Sequence, residues 1–225
     1  MSAQRLLKWQ RWIDDVGEDL FELWFDEIRW RQLHELARDN TSLAGAHVDD
    51  FIGWIDGLYL QAAAVGVRRQ SEVRSDSISI GRLLREVAED PAALLAAPLY
   101  AAVCQGHASI SVGVCPSEHD IALAAEKDAS LLRDAATSIT KYVNKSIAHR
   151  AKLRARGEWP LDSPAVEHAT GLLREILGRY TLALKGTLFL SGPLPEYDWM
   201  ESFTVPWTTS EQIIEYFRRD YGEDD

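Results

Sequence analysis

Apolar residues recur at spacings of three and four through most of the chain, and that periodicity points to helices packed on helices. From about Ala3 to Asp39, Trp9, Trp12, Ile13, Val16, Leu20, Leu23, Trp24, Ile28 and Leu36 form the stripe of a tryptophan-rich amphipathic helix, with a break expected near Gly17. A second helix is predicted from about Val48 to Gln70. There Phe51, Ile55, Leu58, Ala62 and Val65 lie within about 40° of one line on the helical wheel, the face expected to be buried. Ser79 is the predicted cap of a short third helix. Pro91 and Pro98 bracket more Ala/Leu-rich helix, and "QGHASISVGVCP" is a Gly/Ser-rich connector.

The next helix has a sharp start. "SEHD" after Pro116 is an S-x-x-D capping box, with Ser117 as cap, and the helix should run about thirty residues to the neighbourhood of His149. "GEWPLDSP" interrupts the pattern. Asp162 or Ser163 with Pro164 opens another helix ending near Lys185, and a last one is expected from Glu211 to Arg219. No strand alternation or internal repeat stands out. The fold class is all-α, an antiparallel helical bundle.

The chain has 225 residues, long enough for one large domain. Hydrophobic residues make up 46% and charged residues 26%, an ordinary globular composition. No secretory leader is evident and no apolar run approaches the ~20 residues needed to cross a bilayer, so a cytoplasmic protein without membrane contact is expected. Cys104 and Cys115 are read as two free thiols, in keeping with that compartment. The net charge of −11 argues against a sequence-independent coat on nucleic acid. Charge is uneven, however: Lys141, Lys145, Arg150, Lys152, Arg154 and Arg156 occur together without an intervening acid.

Two constellations could carry chemistry. On the wheel of the long capped helix, Ile139, Val143 and Ile147 share an apolar face, while Asp134, Ser138, Tyr142, Lys145 and His149 form the adjoining polar flank. Asn144 lies on the other flank of an unbroken helix. His149 is either a cation at a helix C-terminus, favoured by the dipole, or part of a site. Arg69 continues the apolar line of the second helix. Either its stem covers the end of the bundle, or Arg68 or Arg69 points at an anion, for which a guanidinium is well suited. His34, His47, Asp49, Asp50, His107, His119, Asp120 and His168 show no metal-ligand spacing, and no nucleotide-binding glycine loop occurs, so neither metal nor cofactor is expected.

"YVNKSIAHR", residues 142–150, resembles the R-N-K-x-x-A-H signature of HEPN-domain proteins. "GVRRQSEVRSDSISIGRLLREV" and "YDWMESFTVPW" are similar to segments of the abortive-infection AbiU-like branch of that superfamily. The resemblance runs from about Phe51 to Trp207. It implies a single HEPN-like domain over 1–225, with its core at about 48–190, a Trp-rich N-terminal helix at 3–39 and a C-terminal aromatic loop and helix at 191–219. It further implies a prokaryotic defence or toxin–antitoxin setting, and RNA, a second copy of the chain and an operon-encoded protein as partners.

Carried over residue by residue, His149 matches the family histidine and Asn144 its polar residue, which makes these two the catalytic candidates. The motif arginine is Val143 here. The guanidinium that would hold a scissile phosphate is therefore missing from its usual place, and Lys145, Arg150, Arg68, Arg69 and Tyr142 are the candidates for contacting the substrate. The expected protein is an RNA- or partner-binding module with weak or absent catalysis. The alternative is an active, metal-independent endoribonuclease, with His149 moving the proton at a site shared between two subunits.

Overall fold

The computed structural model describes residues 2–39, 48–98, 100, 115–148, 161 and 163–187. All regular structure among them is helical. In chain order the helices are α1 (Ser2–Asp39), α2 (Val48–Ser71), α3 (Ile80–Glu89), α4 (Pro91–Leu95), α5 (Glu118–Tyr142) and α6 (Ser163–Lys185). α5 continues without interruption into a π-helical turn, Val143–Ala148. The chain divides into two compact units, Met1–Ser191 and Gly192–Asp225. All described residues belong to the first, and the predicted C-terminal aromatic loop and helix lie outside them.

Local chemistry explains the helix starts. Ser79 has an extended backbone, and its hydroxyl accepts from the Arg82 amide at 3.2 Å. At the head of α5, Ser117 Oγ accepts from the Asp120 amide at 3.2 Å, and the Asp120 carboxylate accepts from the Ser117 amide at 2.9 Å. This reciprocal box satisfies two amides that the first turn leaves without partners. Through these hydrogen bonds Ser117 holds the Asp120 carboxyl below its usual range. The expected break at Gly17 does not occur. Ile13, Val16 and Leu20 are buried on either side of it, and their burial outweighs the roughly 1 kcal/mol that glycine costs a helix.

Cross-contacts establish an antiparallel bundle. Along α1 and α2, Asp19 meets Arg69, Trp30 stacks on Tyr59 and His34 bonds to Asp56. Along α1 and α6, Lys185 pairs with Asp14 and Arg174 with Glu27. α3 also runs against α1: Arg5 pairs with Asp90, and Lys8 with Glu86. α5 and α6 are locked by Arg179 and Asp128 at 2.8 Å. The core lies among these helices and includes Trp9, Val16, Val67, Leu84, Leu132, Ile139, Leu173 and Leu177.

The buried face of α2 is not the one its periodicity suggests. Tyr59, Ala63, Ala64, Val67 and Gln70 face inward, whereas Phe51, Trp54, Leu58 and Val65 are 49, 59, 48 and 41% exposed. Size decides the orientation. Ala63, Ala64 and Gly66 let α2 approach its neighbours closely, and Leu23 lies 3.1 Å from where a Cβ on Gly66 would stand. Bulky Phe51, Trp54 and Leu58 on that side would hold the helices apart.

Candidate functional site

The π turn Val143–Ala148 coincides with the motif segment of the sequence. Tyr142 packs half-buried against the core. Val143 is 1% exposed, and its amide bonds to the carbonyls of Ile139 and Thr140. Asn144 is half-buried and Lys145 exposed. Val143 thus completes the inward line of Leu132, Ala136 and Ile139, and its position belongs to the core. A switch to i→i+5 bonding rotates everything beyond it relative to a regular helix, and such insertions are frequent at functional sites. In this winding, positions five apart come onto one face, whereas in an α-helix they diverge by about 140°. His149, five positions after Asn144, and Arg150 lie outside the described residues.

Arg68 and Arg69 stand elsewhere. Arg68 pairs with Glu72 at 3.1 Å, and Arg69 with Asp19 at 2.9 Å. Because the apolar line of α2 faces outward, Arg69 needs no burial and is well exposed. Heights along the bundle follow from the cross-contacts. Asp19 of α1 is level with Arg69, and between the Lys185–Asp14 and Arg174–Glu27 contacts it is also level with Arg179 and therefore with Asp128. Val143 follows Asp128 about 22 Å further along α5 at 1.5 Å per residue. The same registers put Val143 level with the start of α6, the end of α1 and the first turns of α2, against which the π turn packs. Within one chain, the two arginines stand about 22 Å along the bundle axis from the π turn.

Other polar groups are engaged structurally. Glu27, buried in the bundle, is bridged by Arg31 at 2.7 Å and Arg174 at 3.0 Å, and Arg174 also lies over the Trp24 ring. Burial, with Glu27 and Glu167 nearby, pushes the Tyr59 phenol well above its ordinary value. Tyr180 is raised in the same way by burial and by Asp128. Apart from Glu27–Arg31, neighbours on one helix, these pairs escaped the sequence because their members lie far apart along the chain. Among the described residues no three His, Cys, Asp or Glu side chains gather as metal ligands. His34 is instead bonded to Asp56 at 2.5 Å, beside the Trp30 indole that donates to the same carboxylate at 2.8 Å.

One expectation is corrected. Cys115 is disulfide-bonded, so the reading of two free thiols does not hold, and cysteine usage lends no support to a reducing compartment. A cysteine count cannot report pairing; only the approach of two sulfur atoms in space can. Among the described residues no helix is long and apolar enough to cross a membrane.

The fold defines the class as an all-α helical bundle. Comparison with protein-family models, with curated proteins and with solved structures found no match.

Proposed function

We propose that the chain is a HEPN-like module that binds RNA through the end of α5 and does not cut it efficiently. The observation that carries this reading is Val143. It stands where the resembling motif has an arginine, and its side chain is buried in the core. An arginine there would have to desolvate its charge or unpack the helix, so the position is committed to packing rather than to a phosphate. The exposed Lys145, with the basic run that follows it in sequence, supplies charge for an RNA backbone despite the overall net charge of −11. In a prokaryotic defence operon, such a module would act by recognising RNA or a partner protein.

The π winding favours a second reading, an active metal-independent endoribonuclease. π turns within helices are frequent at functional sites, and this one carries Asn144, one of the two catalytic candidates. His149 would then shuttle the proton of the ribose 2′-hydroxyl.

Expression of wild type beside His149→Ala, scored for growth arrest and RNA integrity, separates the two. The binding module leaves RNA whole in both strains, while purified wild type retards RNA and Lys145→Ala weakens binding with a shallower salt dependence. RNA fragments in wild type that vanish in His149→Ala would establish the nuclease. Absence of both binding and cleavage would reject both readings.

A further inference from the structure

Where α4, the start of α5 and the end of α6 meet lies a cavity of about 160 Å³. Leu94, Ile121 and Ala183 wall it with apolar groups, and Tyr100 and Tyr180 line it as well. The space stays open because α5 and α6 bring only the methyl groups of Ala124 and Ala183 to it, where larger side chains would close it. An engineered apolar cavity of about 150 Å³ takes up benzene, so there is room here for one compact ring.

Polar groups converge on the same cavity. Asp128 is 9% exposed and accepts from Arg179 at 2.8 Å through one oxygen, Oδ1. Burial foremost, then Asp128 and Tyr100, push the Tyr180 phenol up, so these three side chains stand within electrostatic reach of one another. Burial raises Tyr100 too, and both phenols stay neutral in ordinary buffer, each with lone pairs to offer. The exposed Asp120 also lines the cavity, and both of its bonds to Ser117 fall on one oxygen, Oδ2.

We infer that this cavity binds a small organic ammonium ion with an apolar body about one ring in size. The charge balance selects the head group. Two carboxylates stand against one guanidinium, and that guanidinium is already engaged by Asp128. The amino end of α5 and the carboxyl end of α6 meet here, so their dipoles offset each other and the side chains set the sign. An ammonium among carboxylate and phenol oxygens, beside two aromatic rings, is attracted by both. A carboxylate ligand would compete with Asp128 for Arg179 and lie beside two like charges. A wholly apolar ligand would displace water from the polar groups without replacing its hydrogen bonds. The inference is independent of the RNA reading, since Asp128 stands about 22 Å along α5 from the π turn.

Calorimetric titration of the full chain with phenethylamine tests it, beside phenethyl alcohol and phenylacetate, which keep the ring and change the head group. Phenethylamine is expected to bind once per chain with a Kd below about 1 mM, at least about tenfold more tightly than either comparator. Ala124→Phe fills the cavity from an exposed position and should weaken phenethylamine at least about tenfold with unchanged helical content. The net charge of −11 attracts any cation, and this variant leaves every charge in place, so it assigns binding to the cavity. Asp128→Asn should weaken phenethylamine at least about tenfold and leave phenethyl alcohol nearly unchanged. Tyr100→Phe should weaken phenethylamine about threefold or more, and it carries the test if Asp128→Asn fails to fold. Absence of phenethylamine binding up to about 10 mM overturns the inference, as does an affinity unchanged in Ala124→Phe. Phenylacetate or phenethyl alcohol binding as tightly as the amine overturns the ligand class. Equal weakening of amine and alcohol by Asp128→Asn overturns it too, because lost shape rather than lost charge would then explain the effect.

Discussion

Replacing Glu86 by alanine removes the carboxylate on which α1 and α3 meet. Lys8 reaches its two oxygens at 2.6 and 2.8 Å, the Trp9 indole donates to it at 3.0 Å, and Arg82 approaches at 3.2 Å. Trp9 is fully buried, so its indole N–H would lose its partner where water cannot replace it, at a cost of about 1–3 kcal/mol. The ion pairs are partly exposed and add about 0.5–1 kcal/mol each. The expected loss is about 2–4 kcal/mol, or a fall in Tm of about 5–15 °C for a chain of this size. Glu86→Gln keeps an oxygen for the indole and should lose about half as much. Urea titration followed by far-UV circular dichroism measures both. The pH profile adds a signature. Burial works to raise the Glu86 carboxyl, but hydrogen bonds from Lys8 and Trp9 and the charges of Lys8 and Arg82 outweigh it and hold the group below its usual value of 4.5. Folding therefore favours the ionised form. The contribution is complete above the unfolded value and disappears as pH falls through the lower folded one, and Glu86→Gln should flatten that part of the acid limb. If Glu86→Ala stays within about 0.5 kcal/mol of wild type, or if Glu86→Gln costs as much as Glu86→Ala, the carboxylate is not the bond between α1 and α3.

Two further tests concern packing. A Cβ on Gly81 would lie 2.7 Å from the Ser71 carbonyl oxygen, so Gly81→Ala should destabilise by at least about 1–3 kcal/mol in urea titration. Gly53 has nothing within 4 Å of such a Cβ, and Gly53→Ala should stabilise α2 by up to about 1 kcal/mol in the same assay. The Tyr59 hydroxyl is buried without a partner, so Tyr59→Phe should be neutral or stabilising near neutrality. Because the folded phenol titrates above its ordinary value of 10.0, wild type loses stability as pH rises past that unfolded value. Tyr59→Phe should remove part of that alkaline loss and leave the part due to Tyr180. Denaturation curves across the alkaline range, at equal ionic strength, check the difference.

How much of this protein could be read from its residues depends on how local the deciding interaction is. The sequence by itself determined the helices and several of their ends. Ser79 and Ser117 bond to amides three residues away, and α6 spans Ser163–Lys185 as its proline and periodicity predict. Ile139 and Val143, expected on the apolar face of the long capped helix, are likewise buried, since α5 has a single apolar face to offer. α2 has two, and there the tertiary structure decided. The bulkier side looked like the core, but the side carrying Ala63, Ala64 and Gly66 permits close approach, and close contact wins over side-chain area once helices must nest. The same choice turned Arg69 outward to Asp19. The antiparallel register places Arg68 and Arg69 about 22 Å along the bundle from the π turn, a distance that wheel positions on separate helices cannot express. The π winding at Val143–Ala148 is also tertiary information, because the heptad and wheel assume the α-helical repeat that this turn abandons. The candidate segment was legible as a motif, whereas the height and winding of Val143–Ala148 and the outward apolar face of α2 came from how the helices pack.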